Sequence, residues 1–222
     1  HGDYDADGIC GASVLYTTLR DIMRARPAPE PAPEPDLISV FLPDRERDGY
    51  GFAVPTAEAF AEDGVKLIIT VDCGIANKAS IDRARELGMD TIVCDHHALQ
   101  GELPEAILIH PLVPGETYPN KHLCGTGVAS KLAWGLLNEA RRRGFTIPEG
   151  HEKWLLDFVA IATVTDVMPL VGENRTIETY GLKVLNKTRR PGLKCLIDIA
   201  GAGKTPIETW NIGFQIGPRI NA

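Results

Sequence analysis

The sequence predicts an α/β protein, in which a three-layer domain with a parallel sheet of about five strands is followed by a helical extension. Four short apolar runs, at 37–42, 65–71, 90–94 and 106–109, are continuous rather than alternating, which is typical of strands buried on both faces. Helical patterns lie between most of these runs, and alternation of strand and helix indicates a parallel sheet. One further strand is expected before residue 1, because the opening HGDYDADG has the character of a loop that follows a strand.

The first predicted helix covers residues 9–25. Its apolar residues recur at helical spacing and form one stripe: Ala12, Leu15, Tyr16, Leu19, Ile22 and Met23. The helix is expected to end at Pro27, and the proline-rich stretch 27–36 cannot continue a helix or donate ladder hydrogen bonds at its prolines. We interpret 27–36 as a solvated surface insertion.

Further helices follow from the same periodicity. Asn77 is expected to cap a helix that Gly88 ends, with Ile81, Ala84 and Leu87 facing inward. After Pro119 the pattern is helical over four segments: 126–143, 152–165, 176–188 and 192–200. We therefore divide the chain into an α/β domain, 1–168, and a helical extension, 169–222, that leads toward a domain outside this sequence.

The bulk composition is that of an ordinary globular protein. Of the 222 residues, 44% are hydrophobic and 24% are charged, and no apolar run approaches the roughly 18 residues of a membrane helix. The five cysteines are scattered, with no C-x-x-C pair, which argues against a disulfide framework and a cysteine zinc site. We expect a cytoplasmic protein without a signal peptide.

The charge balance limits the possible substrates. A net charge of -7 argues against nucleic-acid binding through the overall charge of the protein. Such binding usually requires a basic domain or a basic stripe on the surface. Divalent cations held by clustered acidic residues would cancel much of this charge locally. The net charge is therefore only a partial objection to a nucleic-acid substrate.

Acidic residues and histidines follow three predicted strands and one later helix. They are His1, Asp3, Asp5 and Asp7 in the opening loop, Asp72 after the second run, Asp95, His96 and His97 after the third, and Asp166 after the apolar helix. Ligands of open parallel sheets bind beyond the carboxyl ends of the strands, so these segments are expected to converge on one edge. Carboxylates packed this closely repel unless cations separate them, and a mixture of imidazole and carboxylate suits manganese, iron or zinc better than calcium. The sequence predicts a metal site.

Each part of this set has a simpler interpretation when it is taken alone. The opening aspartate loop matches a calcium site or a turn, and Asp72 suits the turn before Gly74. The histidine pair suits a polar loop, and Asp166 suits a cap for the segment that begins at Val167. Together at one predicted edge, they favour a common metal site.

Four segments resemble, in order, the motifs of the DHH phosphoesterase superfamily: HGDYDADG, TVDCGI, CDHH and TVTDVMPL. Others resemble RecJ-type single-stranded-DNA exonucleases in particular: DYDADG, GYGF, GTGVASKL, PLVGENR and GPRINA. The likeness covers nearly the whole chain apart from 27–36. It implies the DHH phosphoesterase fold for 1–168, as the catalytic core of a longer protein whose DHH-associated and oligonucleotide-binding domains lie outside this sequence.

The resemblance implies two divalent metal ions, Mn²⁺ by preference and Mg²⁺ as the alternative. The first ion would be held by His1, Asp5 and Asp72. The second would be held by Asp7, Asp72, His96 and Asp166, so that Asp72 bridges the two. Two ions about 3.5–4 Å apart lower the pKa of a bridging water and clamp the attacking and leaving oxygens of an in-line displacement.

The resemblance also implies roles beside the metals. Asp72 and His97 are the implied catalytic residues, with His97 near the nucleophile or the phosphate rather than on a metal. Asp3 and Asp95 are expected to orient the ligands from a second layer. His110 stands where such sequences usually have asparagine.

Phosphate contacts are expected at three places. The resemblance to RecJ-type exonucleases implies that Arg45 contacts a 5′ phosphate, with a solvated surface arginine as the alternative. The GPRINA segment resembles the phosphate-contacting loop of that family, and guanidinium can bind two phosphate oxygens at once. Free N–H groups at a helix start can take a phosphate, with a threonine cap and glycines for close packing as the alternative. The residues concerned are Arg45, Arg219, Asn221, Gly125, Thr126 and Gly127. We interpret the basic runs at 141–143 and 187–190 as solvated helix ends.

The implied function is metal-dependent 5′→3′ hydrolysis of single-stranded DNA to 5′-mononucleotides, in DNA repair and recombination. The expected partners are single-stranded DNA and, through domains outside this sequence, a single-strand-binding protein and a helicase, with the protein itself a monomer that has no membrane contact. The alternatives are another DHH phosphoesterase acting on nano-RNA, cyclic dinucleotides or pyrophosphate, and a DHH scaffold that binds no metal. GYGF and GPRINA favour the exonuclease, and the complete metal set disfavours the scaffold.

Overall fold

Three parallel strands form the centre of the fold, with helices on both faces. The structure is a computed structural model that describes residues 1–26, 37–203 and 206–222, so the predicted insertion at 27–36 lies outside the described residues. The first half contains α1 (Ala6–Arg24), α2 (Val54–Glu62), β1 (Leu67–Val71), α3 (Lys78–Glu86), β2 (Asp90–Cys94) and β3 (Ile107–Ile109). The second half contains α4 (Gly125–Arg142), a 3₁₀ turn (His151–Leu155), α5 (Leu156–Thr165), α6 (Gly172–Leu185), α7 (Pro191–Ile199), α8 (Thr209–Asn211), a π-helical turn (Ile212–Ile216) and α9 (Gly217–Ile220).

The sheet has the order β1-β2-β3, and all its pairs are parallel. Its two faces bury separate cores, because successive strand residues point to opposite sides. Ile68 and Val93 pack with Phe52 and with α2 and α3, whereas Val71 and Cys94 pack with α1, α4 and α5. This arrangement confirms the predicted three-layer α/β fold with a parallel sheet. The number of about five strands is not confirmed, since the described residues form three.

The predicted strand at 37–42 is not a regular strand. It runs beside the opening residues, where Gly2 bridges Val71 in parallel and its N–H donates to the Phe41 carbonyl at 3.0 Å. A ladder needs repeated hydrogen bonds, and this one bond joins the segment to its neighbour among the described residues. Leu37 and Val40 are also largely exposed. The prediction of a strand buried on both faces was therefore wrong here.

Side chains at the helix starts explain one difference in a predicted boundary and one in a predicted cap. α1 begins three residues before the predicted residue 9, because Asp5 caps it by accepting from the N–H groups of Asp7 at 2.9 Å and Gly8 at 3.0 Å. Asn77 occupies the N-cap of α3, but its side chain does not cap the helix. Its Oδ1 instead accepts from the Gly74 N–H at 3.1 Å, which fixes the turn after β1.

The helical extension shares a core with α5. Ile161 of α5 is fully buried with Leu185 of α6, Ile197 of α7 and Ile212 of the π-helical turn. The predicted division at residue 168 stays a prediction. The GPRINA segment, expected to be a loop, is helical through Ile220, because Pro218 suits the first turn of a helix. Within the described residues, no helix combines the length and apolarity that crossing a membrane requires.

Two arginines of the predicted solvated runs are structural. Arg141 donates to the carbonyls of Ile147 and Pro148 and pairs with Glu152 at 2.6 Å, so it fastens the loop after α4. Arg190 pairs at 2.9 Å with Asp157, a buried carboxylate. The prediction of merely solvated faces was wrong at these positions, because the sequence pattern does not show which carbonyls and carboxylates the later loops bring near.

We expect Gly181→Ala to lower the free energy of unfolding by about 1–3 kcal/mol, as overpacking of a close-packed contact does. A Cβ at Gly181 would lie 2.4 Å from the Ala160 Cβ and 2.6 Å from the Leu156 carbonyl oxygen, so α5 and α6 would have to separate. Chemical denaturation followed by circular dichroism measures the change.

Gly135→Ala is the matched control. Gly135 is exposed within α4, and a methyl group added there would meet nothing within 4 Å, so alanine should stabilise the helix by about 0.5–1 kcal/mol. Equal effects of the two substitutions would contradict the close approach of α5 and α6.

Candidate metal centre

Four separate segments bring carboxylates and histidines to the carboxyl edge of the sheet. Asp72 follows β1, His96 follows β2, Asp7 lies in the first turn of α1, and Asp166 is the C-cap of α5. The His96 Nε2 atom lies 3.2 Å from Asp72 Oδ1, 3.6 Å from Asp166 Oδ2 and 3.7 Å from Asp7 Oδ2. The structure therefore brings together the four residues predicted for the second ion.

The remaining candidates form two further groups around Asp72. Asp72, His96 and His97 can offer one ligand atom each within 4.8 Å of one another, and so can Asp3, Asp5 and Asp72. Asp72 belongs to both groups, which is the position that a bridging carboxylate requires. The second group contains Asp3, which we predicted only to orient ligands. It does not contain His1, which we predicted as a ligand.

His1 lies next to this cluster in an aromatic pocket. Its ring is 5.2 Å from that of Phe41 and 5.3 Å from that of Phe52, and its Nδ1 is 3.7 Å from the Cys73 Sγ. The Nε2 atom is buried and has no hydrogen-bond partner. One imidazole nitrogen is thus held by its surroundings, and the other is left free to act as a ligand.

Unpaired buried atoms concentrate in this cleft. Buried polar atoms are normally hydrogen-bonded, and leaving one unpaired costs about 1–3 kcal/mol. Five such atoms lie in the cluster and its adjoining pocket: His1 Nε2, Asp3 Oδ1, Asp72 Oδ1, His96 Nε2 and Asp166 Oδ2. Carboxylate oxygen with imidazole nitrogen is a donor set for Mn²⁺ and related divalent ions. The residues present fit a divalent metal site.

The start of α4 holds Asp7 rather than an open anion site. The backbone N–H groups of Gly125 and Thr126 donate to the two carboxylate oxygens of Asp7 at 2.6 and 2.7 Å, and the Thr126 hydroxyl donates to the Asp7 carbonyl at 2.6 Å. Gly127 N–H is directed to Cys124 Sγ, and all three residues of this turn are buried. The N–H groups of Gly125 and Thr126 thus already bind Asp7, and that of Gly127 binds Cys124, while the phosphate contact predicted at these residues stays a prediction.

Glycine at position 125 has a steric reason. A Cβ there would lie 2.6 Å from the Asp72 Cβ and 2.8 Å from its Oδ1, so only glycine lets α4 begin beside this carboxylate. Asp72 itself has a φ of 62°, and Val167, next to Asp166, has a φ of 55°. These are the two non-glycine residues with positive φ in the described part of the chain, and strained backbone of this kind often marks functional sites.

Burial and mutual repulsion shift the carboxylates toward their neutral forms. Burial, reinforced by Asp7 and Asp5, raises the pKa of Asp72 far above its ordinary value and that of Asp166 to about 7. Burial likewise raises the pKa of Asp3 to about 6. Without cations, protons are the means of relieving this repulsion. A bound cation would replace them.

His96 and His97 have opposite electrostatic environments. Burial lowers the pKa of His96 and favours the neutral imidazole that a metal ligand needs. His97 is exposed, and its hydrogen bond with Asp95, at 2.7 Å, raises its pKa. The two adjacent histidines are thus suited to different tasks, with His96 turned to the carboxylate cluster and His97 able to carry a proton.

Asp95 organises the loop that carries both histidines. Burial alone would raise the pKa of Asp95, but hydrogen bonds from the His97 side chain and the Ile75 N–H lower it to about 2. Its Oδ1 also accepts from the His96 N–H at 2.7 Å. The loop is held from the other side by His110, whose Nε2–H donates to the His97 carbonyl at 2.9 Å. Burial lowers the pKa of His110, so this donor is a neutral imidazole.

Tyr50 is a site residue that the sequence reasoning missed. Its hydroxyl lies 3.3 Å from the ring nitrogens of His97 and 3.5 Å from the Asp72 carbonyl oxygen. The signal was present in GYGF, which was used only as part of the resemblance. Nothing in the local pattern shows that this loop folds back over the histidine loop.

The predicted phosphate-binding residues fall into two places. The Arg45 guanidinium stacks 4.3 Å from the centre of the Tyr4 ring, and its Nη2 donates to the Asn221 carbonyl at 3.4 Å. The Asn221 Oδ1 accepts from the Ala6 N–H at 2.6 Å, which ties this pair to the start of α1. Arg219 is exposed and donates to the Gln215 carbonyl within its own helical turn. Arg45 and Asn221 are thus brought together beside the opening loop.

Comparison with known proteins gives consistent matches. Residues 1–163 match the DHH family, N-terminal domain. The chain is 42% identical to the single-stranded-DNA-specific exonuclease RecJ of Bacillus subtilis (strain 168), over all of this chain and 25% of that protein. It is 34% identical to RecJ of Escherichia coli (strain K12), over all of this chain and 37% of that protein.

Solved structures agree with these matches. A crystal structure of exonuclease RecJ bound to manganese superposes with a TM-score of 0.80 at 32% identity, covering all of this chain and 51% of that one. RecJ from Thermus thermophilus in complex with Mn²⁺ superposes with a TM-score of 0.73 at 31% identity, over 99% of this chain and 28% of that one. The chain spans between 25% and 38% of the length of the curated relatives it matches. On its sequence motifs, its fold and the family model that covers most of its length, the chain belongs to the DHH family.

Proposed function

We propose that the protein is a metal-dependent exonuclease that hydrolyses single-stranded DNA by a two-metal mechanism. The observation that carries the proposal is the concentration of unpaired, buried ligand atoms from four segments around Asp72. The similarity to RecJ exonucleases, with structures bound to Mn²⁺ and Mg²⁺, supports the substrate and the metals, with Mn²⁺ as the first choice.

The chain's own residues would hold two ions. Asp7, His96 and Asp166 would hold one, and Asp5 would hold the other together with His1 or Asp3, with Asp72 shared between them. When bound, the ions would lower the pKa of a water between them and neutralise charge on the phosphate. The α4 N–H groups fix the orientation of Asp7, so this ligand needs little reorganisation when a cation arrives.

His97 and Tyr50 lie beside the metal-ligand cluster. There they would contact the leaving group or a phosphate oxygen of the substrate. His97 is exposed beside the cluster, 3.9 Å from the Asp72 Oδ1, and its Asp95 hydrogen bond favours the protonated ring. A protonated imidazole can give its proton to the departing oxygen. Arg45 offers a planar fork for a terminal phosphate, which supports attack from the 5′ end and release of 5′-mononucleotides.

Two other functions stay as alternatives. A DHH phosphoesterase acting on nano-RNA, cyclic dinucleotides or pyrophosphate would use the same metals without Arg45 and Asn221. A DHH scaffold that binds no metal would leave the unpaired atoms of the cleft without a purpose. We propose a monomeric cytoplasmic enzyme of DNA repair and recombination, with a single-strand-binding protein and a helicase as partners.

Asp72→Asn should abolish hydrolysis of a 5′-labelled oligonucleotide. A carboxylate shared by two ions contributes to holding both, and a loss of several kcal/mol of charge stabilisation corresponds to a rate lower by about a thousand-fold or more. Equilibrium dialysis with Mn²⁺ should show two bound ions in the wild type and a weaker, incomplete loading in the variant.

Asp63→Asn, at the exposed C-cap of α2, is the control and should leave both hydrolysis and metal loading unchanged. Binding of Mn²⁺ without hydrolysis of any oligonucleotide by the wild type would favour one of the other phosphoesterases. Absence of bound metal would leave only the scaffold.

Asp166→Asn should flatten the pH dependence of stability in metal-free buffer. Because the pKa of Asp166 is raised to about 7, its protonated form favours folding below the ordinary pKa of about 3.9, and this contribution is lost as pH rises through about 7. The melting temperature of the wild type should therefore fall more steeply between about pH 4 and pH 7 than that of the variant. Parallel curves for the two proteins would contradict a raised pKa of Asp166.

Arg45→Lys should slow hydrolysis of a 5′-phosphorylated strand by roughly ten-fold, because lysine keeps the charge but loses the planar fork. A strand with a 5′ hydroxyl should be affected much less. Arg47→Lys is the matched control, since Arg47 lies in the same loop and is also exposed, but it pairs with Asp48 rather than contacting Tyr4 and Asn221. Equal losses on both strands would show that Arg45 serves the fold through Tyr4 and Asn221 rather than the phosphate.

A further inference from the structure

A second groove lies between α4, the 3₁₀ turn and α6. Its volume is about 720 Å³. Aromatic rings and lysines dominate its lining: Trp134, Trp154, Tyr180, Lys131, Lys153, Lys183 and Lys187. This combination contrasts with the acidic metal centre and with the net charge of -7 for the whole chain.

The groove is remote from the metal centre. α4 begins at Gly125, whose N–H holds Asp7, and Trp134 lies nine residues further on, which is about 14 Å at 1.5 Å per helical residue. α5 runs between the same two places, because Leu156 lines the groove and Asp166 ends the helix at the metal centre. The two sites therefore lie at opposite ends of α5, and the groove meets α4 in the middle of that helix.

Each aromatic ring of the groove is accompanied by a cation. The Lys131 Nζ lies 4.9 Å from the centre of the Trp134 ring, and the Lys183 Nζ lies 4.6 Å from that of Tyr180. Trp154 separates this groove from the neighbouring cavity that reaches α1 and α7, and Arg189 stacks 4.3 Å from its ring. Trp154 and Tyr180 are 39% and 53% exposed, which leaves apolar faces open to a ligand.

The groove carries a net positive charge, because four lysines and two glutamates, Glu149 and Glu173, line it. Lys131 pairs with Glu173 at 2.6 Å, so this lysine is neutralised. Lys153, Lys183 and Lys187 are exposed, and no carboxylate of the described residues forms an ion pair with them. Three lysines without an ion-pair partner, beside aromatic rings that are partly exposed, suit a ligand that carries repeated negative charges and flat rings.

We propose that this groove binds single-stranded nucleic acid away from the metal centre, with phosphates on Lys153, Lys183 and Lys187 and bases against Trp154 and Tyr180. The proposal rests on the proposed function, because it gives the nuclease a second binding site for the single-stranded DNA that it hydrolyses. Grooves for single strands combine a positive track with aromatic faces on which unpaired bases stack, whatever their sequence. An acidic peptide would satisfy the lysines but would leave the exposed rings without stacking partners.

Binding is tested without hydrolysis, in EDTA. Fluorescence anisotropy of a labelled oligothymidylate of about twelve nucleotides should show roughly ten-fold weaker binding for the triple variant Lys153→Ala, Lys183→Ala, Lys187→Ala. The slope of log affinity against log salt should also fall by about 2, since each phosphate contact on a single strand contributes about 0.7. Tyr180→Ala should weaken binding by about five-fold or more through lost stacking.

The matched control removes three exposed cations on other elements: Arg24→Ala, Lys66→Ala and Lys194→Ala. It makes the same change in net charge and should keep most of the affinity. Equal losses in the two triple variants would overturn the groove in favour of general charge attraction. Tighter binding of an acidic peptide of matched charge than of the oligonucleotide would also overturn it.

Hydrolysis with Mn²⁺ separates this proposal from the proposed function. A dinucleotide is too short to reach across about 14 Å of helix, so the groove variant should cleave it as fast as the wild type and should cleave the longer strand several-fold more slowly. Equal rates of the two proteins on the longer strand would contradict the groove. Failure of the wild type to cleave either substrate would contradict the nuclease, while the binding measurement in EDTA would still report on the groove.

Discussion

The contact between Asp7 and the start of α4 determines how the other site residues are placed. It joins the opening loop to the second half of the chain, and glycine at position 125 lets the same helix start lie against Asp72. The partial positive charge of a helix N-terminus also offsets one carboxylate. This contact places Asp7, from the opening loop, within the ligand sphere that Asp72 and His96 form at the ends of β1 and β2.

The repulsion that remains is tolerated because the framework is rigid. β1 and β2 are paired in register up to Val71 and Cys94, so Asp72 and the histidine loop emerge side by side from a sheet with buried cores on both faces. Because Asp72 has a positive φ, its side chain points in a different direction from the one it would take if the strand continued. The favourable energy of the cores thus supports a locally unfavourable arrangement of charge and backbone, which is the usual physical state of a functional site.

Much of this could be predicted from the sequence, because strand ends and chemistry are both visible there. The continuous apolar runs indicated a parallel sheet, and the acidic and histidine residues after β1 and β2 indicated its active edge. Contacts between distant segments could not be predicted. The residue pattern does not show that α4 donates to Asp7, that Asp3 lies within ligand distance of Asp5 and Asp72, or that Arg141 fastens a loop. These depend on the tertiary approach of segments many residues apart, whereas capping and periodicity are local.

The hydrogen bonds to Asp7 have a consequence for the order of assembly. A site whose ligands are all loose must recruit its metal while the chain folds, as in small zinc domains that are unfolded without their ion. Here one ligand is already fixed by backbone donors, and the sheet that positions the others has cores of its own. The protein is thus built to fold first and to load its ions afterwards. Its metal content would then follow the free ion concentrations of its surroundings, so the same chain could exchange one divalent ion for another without refolding.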